Sequence, residues 1–159
     1  MPPTLKGSCH CGAVTFSVQS NAAVPSRICF CSICRKVGGA GGAIHVMGNT
    51  KSLEVQGREN IGIYNAVMAN RGQKDEQRAS SERCFCKLCG TALWLAETPD
   101  HIFPFASAID TPLEPPEEMT MIYTESKPEW VRFPEGRVTF DDADLSIANW
   151  HKRSGKWVE

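Results

Sequence analysis

Cys29-Phe30-Cys31-Ser32-Ile33-Cys34-Arg35-Lys36 sets three thiols within six residues and follows them at once with two cations. Two further clusters flank it, Cys9-His10-Cys11-Gly12 before and Cys84-Phe85-Cys86-Lys87-Leu88-Cys89-Gly90 after. All eight cysteines fall in these three stretches, and none follows residue 89. Thiols gathered at short spacings beside glycine suit a tetrahedral metal ion, which needs several sulfurs delivered from tight turns. A disulfide scaffold is the rival reading, encouraged by the even count. Against it, cysteines one residue apart on a strand point to one face and pair poorly with each other.

Composition narrows the setting. With 159 residues the chain has the size of one domain, and 42% apolar with 22% charged residues is the balance of an ordinary globule. A formal net charge of −1 argues against nucleic-acid binding, which needs a clustered basic excess. No run of eighteen apolar residues is present, so no membrane partner is expected. The opening Met-Pro-Pro-Thr-Leu-Lys-Gly-Ser lacks the apolar core of a secretory signal, and the expected compartment is the cytoplasm, where thiols stay reduced and free for metal.

Around the clusters the chain reads as short strands. Residues 5–8 and 13–19 flank the first knuckle, 26–30 deliver Cys29 and Cys31, and 32–36 curl through one helical turn that returns Cys34 to them. Residues 43–47, 53–56 and 61–67 continue the pattern, and 83–86 and 91–96 flank the second knuckle as 5–8 and 13–19 flank the first. Residues 69–81 are polar and charged, the mark of a solvated loop. A strand over 102–108 would carry Pro104 at an edge or bulge. Residues 121–124 and 130–133 are extended segments, and Glu135-Gly136 a turn. The tail combines acidic Asp141, Asp142 and Asp144 with Trp150 and Trp157, tryptophans expected to pack on the body. Gly38-Gly39-Ala40-Gly41-Gly42 is a close-packed loop, since no Lys-Ser/Thr follows to make it a phosphate cradle. The fold expected is mainly β, with no long amphipathic helix.

Cys9, Cys11, Cys86 and Cys89 sit in two glycine-terminated knuckles that together supply four thiolates, the closed set of a structural zinc. Cys29, Cys31 and Cys34 offer only three, and a three-ligand zinc keeps a fourth position open. Three thiolates leave such an ion anionic, poorly suited to making hydroxide and better suited to holding an incoming thiolate. Arg35 and Lys36 could offset that charge or clamp a carboxylate. A second structural site, completed by Cys84 or a histidine, is the alternative. Cys84 could share the face of Cys86 or be a small buried hydrophobe. His10, His45, His101 and His151 have no paired metal spacing.

Gly7-Ser-Cys-His-Cys-Gly-Ala-Val-Thr-Phe, Cys29-x-Cys31-Ser-x-Cys34-Arg-Lys and Arg83-x-Phe-Cys86-x-x-Cys89-Gly-Thr-x-Leu together resemble the glutathione-dependent formaldehyde-activating enzyme family, which includes centromere protein V. The resemblance is strongest over residues 4–133, leaving 134–159 as a C-terminal extension that packs on a single domain spanning 1–159. It implies a zinc-stabilised β-tent of short antiparallel strands with two zinc ions. The structural ion would sit on Cys9, Cys11, Cys86 and Cys89. Cys29, Cys31 and Cys34 would hold the active one, where a glutathione thiolate docks. It implies a carbon–sulfur lyase, with glutathione or its adduct as partner. Two departures stand out. Phe30 replaces a histidine frequent in the family, and Met121-Ile122 precedes Lys127-Pro-Glu-Trp130 where Pro-x-x-His-Ile is common. Both place an apolar group near the expected site and imply a bulkier or more apolar substrate.

Three function classes follow: an enzyme acting on thiol adducts, a non-catalytic glutathione or thiol carrier, and a zinc-stabilised binding module. The lack of a basic tail weighs against chromatin binding by the last. Methionine sulfoxide reduction would need a free redox cysteine, for which only Cys84 is available.

Overall fold

The computed structural model describes residues 1–140 and 146–159, so Asp141, Asp142 and Asp144 lie outside the described residues. In chain order the elements are β1 (Thr4–Ser8), β2 (Thr15–Gln19), β3 (Arg27–Cys29), α1 (Ser32–Gly38), β4 (Ala43–Ile44), β5 (Gly48–Asn49), β6 (Glu54–Gln56) and β7 (Ile61–Tyr64). There follow β8 (Val67–Ala69), β9 (Gln77–Arg78), β10 (Glu82–Cys86), β11 (Ala92–Ala96), β12 (His101–Pro104), β13 (Glu118–Ile122), β14 (Arg137–Phe140) and α2 (Ile147–Arg153). No helix among them is long and apolar enough to cross a membrane.

The strands form small sheets that share one core. One has the order β1-β2-β6, the largest β5-β12-β11-β10-β7, a third β14-β13-β3-β4, and β8 with β9 makes a separate hairpin. Alternation drives the first: Phe16 and Val18 of β2 are buried while their neighbours are not, a period of two that puts one face on the core. Gly7 of β1 lies under the Phe16 ring, where a Cβ would come within 2.4 Å of Cζ. Phe16 meets Trp94 edge-on at 5.2 Å, joining the first sheet to β11. Cys9, Cys34, Cys84 and Cys86 are buried in that same core with Leu5, Val14 and Leu93.

The mainly β architecture matches the sequence reading, with several differences. The third sheet is not wholly antiparallel, because β13 runs parallel to both β3 and β14. Residues 69–81 are mostly exposed yet include part of the β8–β9 hairpin, held by an Arg78–Glu76 ion pair at 2.7 Å and by Arg78 donating to the Asn65 carbonyl. No strand forms over 130–133. Pro104 ends β12 beyond the two-residue pairing with β5, where no ladder bond is asked of its nitrogen.

The helical turn after Cys31 runs on into the seven residues of α1. In the tail, Ser146 caps α2 by accepting from the Asn149 amide at 3.1 Å. Ile147 packs with Ala22, Met47 and Trp157, and Trp150 is buried, so both tryptophans pack on the body.

Candidate metal centres and their cavity

The two outer knuckles are built alike. Cys9 donates its amide to the Val14 carbonyl and Cys86 to that of Thr91, at 3.0 and 2.9 Å, and each turn closes through a glycine amide back to the first cysteine's carbonyl. Gly12 and Gly90 both adopt left-handed backbone, φ 77° and 78°, which any side chain would strain. His10 donates its amide to the Thr91 hydroxyl at 3.1 Å, bringing the knuckles together. The sulfurs of Cys9, Cys11, Cys86 and Cys89 lie within 4.8 Å of one another. Cys9–Cys11 and Cys11–Cys86 are 3.6 and 3.8 Å apart, close to the edge of roughly 3.8 Å that a tetrahedron of 2.3 Å zinc–sulfur bonds requires. The Val14 amide donates to Cys9 Sγ at 3.2 Å. Thr91, by side chain and backbone, pulls Cys89 down to about 5. The Ala13 amide favours a Cys11 anion, but Cys9 and the remaining sulfurs push that thiol up to about 11. Four sulfurs this close cannot all ionise without a cation among them, so the donor set fits a divalent soft ion.

The middle trio comes from one strand end and the helix it feeds. β3 presents Cys29, and Cys31 caps α1 by accepting the Cys34 amide on Sγ at 3.4 Å, which returns Cys34 to the other two sulfurs. These three also lie within 4.8 Å of one another, and among the described residues no fourth His, Cys, Asp or Glu joins them. Hydrogen bonds from Cys29 and Cys34 pull Cys31 down to about 2. The Cys31 and Cys34 sulfurs together with burial push Cys29 far up. Cys34 is favoured as an anion by Cys29, but Cys31 and burial outweigh this and raise it. Negative charge is crowded here as in the outer cluster, and a cation would relieve it.

The trio opens on a cavity of about 810 Å³. Arg27, His45 and Arg83 line it beside the thiols. Arg83 is buried, with both terminal nitrogens 4.0 Å from Cys34 Sγ. His45 lies against Phe105 with ring centroids 4.3 Å apart, and its Nε2 is buried without a partner. Burial first, then the Arg83 charge, pushes His45 down to about 4, so its ring is neutral at ordinary pH.

Arg35 and Lys36 are not among the residues lining this cavity. α1 turns about 100° per residue, so with Cys34 inward Lys36 faces away, toward a separate depression that includes Cys9 and His10. Arg35 is half-buried, its Nε without a partner. Phe30 and Met121 do not line the cavity either. Met121 pairs with Ile28 and Ile122 with Cys29, so Met121 shares the face of Ile28 while Ile122 joins the lining. Phe30 is fully buried and meets Phe133 at 6.3 Å. Cys84 is a buried core residue outside both clusters, its thiol pushed up to about 11 by burial.

Arg27, His45 and Arg83, and also Glu97 and His101, line the cavity without having been singled out by sequence spacing. Arg27 had a signal, standing two residues before Cys29 on one strand and therefore on its face. Arg83 stood inside a quoted motif without a role. His45 had none.

The sequence model described as glutathione-dependent formaldehyde-activating enzyme matches residues 4–126. A protein of Halomonas elongata that carries the provisional name glutathione-dependent formaldehyde-activating enzyme is 43% identical over 157 residues, covering 95% of this chain and 96% of its own.

Proposed function

Because the chain belongs to the glutathione-dependent formaldehyde-activating enzyme family, we propose that it makes and breaks the bond between a thiol, glutathione, and a small carbonyl carbon, as a carbon–sulfur lyase. The carrying observation is the convergence of Cys29, Cys31 and Cys34 on the wall of a large cavity with no fourth protein ligand among the described residues. In this reading Cys9, Cys11, Cys86 and Cys89 hold a structural zinc and the trio holds a second. A zinc on three thiolates supplies an open coordination position that favours the anion of an incoming sulfur.

The chain's own groups do the rest. Arg83 steadies the Cys34 thiolate and, with Arg27, offsets the trio's negative charge. The two guanidinium groups give a carboxylate of the thiol cofactor a partner on the cavity side, the duty expected of Arg35 and Lys36. His45, held neutral, keeps Nε2 available to a hydroxyl of the adduct. Eight cysteines free of disulfides suit the cytoplasm, and the net charge of −1 gives no hold on nucleic acid. One domain spans 1–159, its tail docked by α2.

The test is exchange NMR on glutathione with formaldehyde, with and without the zinc-loaded protein, beside a zinc determination. Two zinc ions per chain and faster exchange that is lost in Cys34→Ser are expected. Formaldehyde turnover that runs equally well without any thiol would show the centre activating water and end the carbon–sulfur reading.

A further inference from the structure

The cavity is polarised along its length, and its register gives the direction. Arg83 pairs with Leu95, and Leu95 with Phe103, so the three form one row across β10, β11 and β12. All three line the cavity. Strands lie about 4.8 Å apart, so the row runs roughly 10 Å from the guanidinium strand to the phenyl strand. Its first member touches Cys34 Sγ, and its last packs against the apolar cluster of Ala22, Met47 and Ile147. The lining also includes buried Ala66, partly exposed Ala79, and Met68 on β8, which is 62% exposed. Glu97, just past β11, and His101 on β12 edge the row two residues along from Leu95 and Phe103. Leu95, Phe103 and Met47 thus form an apolar lane with polar groups at its side, longer than a one-carbon electrophile can use. The volume of about 810 Å³ lies high in the range of roughly 300–1,000 Å³ that takes drug-sized ligands.

We propose that the preferred electrophile is an aldehyde carrying an extended apolar group, which lies along Leu95 and Phe103 toward Met47 while its carbonyl carbon sits at the thiol end. This rests on the carbon–sulfur reading above and assigns its substrate class. The step needs no oxidant or reductant. The thiol S–H adds across C=O: the sulfur–carbon bond forms, the carbonyl π pair moves to oxygen, and the proton passes from sulfur to that oxygen. The reverse step breaks the same bond. Each methylene taken from water into such a surface contributes about fourfold in binding, so a six-carbon aldehyde gains well over tenfold even if only half its chain is covered.

The experiment compares kcat/KM for glutathione adduct formation with hexanal and with formaldehyde, by exchange NMR on the zinc-loaded protein. Hexanal is expected to be favoured tenfold or more. Met68→Asp and Ala79→Trp, at exposed and partly exposed positions of the lining, should each lower the hexanal-to-formaldehyde ratio at least fivefold while the thermal transition is retained. Formaldehyde exchange that is accelerated while hexanal gains nothing overturns this inference and leaves the carbon–sulfur reading intact. An unchanged ratio in both variants also overturns it. Acceleration of neither substrate overturns both.

Discussion

Arg83 is the residue on which the two halves of the site depend. Its guanidinium is buried and straddles Cys34 Sγ, with both terminal nitrogens at 4.0 Å. Removing the charge while keeping the bulk, as in Arg83→Met, leaves Cys34 without its cationic partner. Metal affinity at the trio should fall about 10–100-fold, the usual effect of losing a group that supports a ligand. Arg83→Lys should restore part of it. Competition against a chromophoric chelator reads the affinity directly, and an unchanged constant in Arg83→Met would leave the residue a packing role only. The thiols themselves were legible in the sequence because ligand spacing is local: turns of two or three residues fix which sulfurs can meet. Arg27, His45 and Arg83 were not assigned, since their approach to the trio depends on sheet register and on sheets meeting in space. For Phe30, adjacency to Cys29 and Cys31 misled, because alternation along the chain sends it to the other side.

α2 shows the same limit one level up. Ser146 as cap and Ile147, Trp150 and His151 at helical spacing are a real signal, but seven residues are too few to carry a helix on periodicity alone. Tertiary contacts supply the rest. His151 is fully buried, Nδ1–H donates to the Ile147 carbonyl at 2.7 Å, and Nε2 accepts the Val24 amide at 3.0 Å. That pair of bonds admits only the neutral ring, and burial lowers the affinity for a proton. The unfolded chain takes up this proton near pH 6.5, so it binds more protons than the native state below that value. Stability from this group is therefore complete above about pH 6.5 and declines as pH falls further. Urea midpoints at pH 7.5 and 5.5 should show a drop that is smaller in His151→Asn. Comparing the two proteins isolates this group from thiolate protonation, and equal drops would remove His151 as the cause. The cysteine knuckles and their flanking strands needed no such contacts to be recognised. The β8–β9 hairpin, charged and polar over residues 70–78, left only composition to read there.

At the scale of the molecule, the four-thiol cluster joins the β1–β2 turn to the β10–β11 turn, and so fastens the small first sheet to the largest. With the proposed zinc in place, losing one ligand there would remove binding free energy on the order of 10 kcal/mol or more, which is also folding free energy. Cys89→Ser should consequently lose its cooperative thermal transition, whereas Cys34→Ser should stay folded with about half the metal. Calorimetry with a zinc determination on each protein decides the matter, and equal loss of fold in both would mean that the trio is structural too. The distance along the chain between the two knuckles has a further consequence during biosynthesis. A ribosome delivers Cys9 and Cys11 first, then all three members of the trio, and only later Cys86 and Cys89. At about 5–20 residues per second, the roughly 80 residues separating the knuckles take about 4–16 s to emerge. Once Cys34 has emerged the nascent chain displays five thiols, of which Cys9 and Cys11 still lack their partners while the trio is complete. On the proposed two-zinc reading the open trio is thus the first site to be complete, and the newborn chain could bind zinc there before the four-thiol site exists.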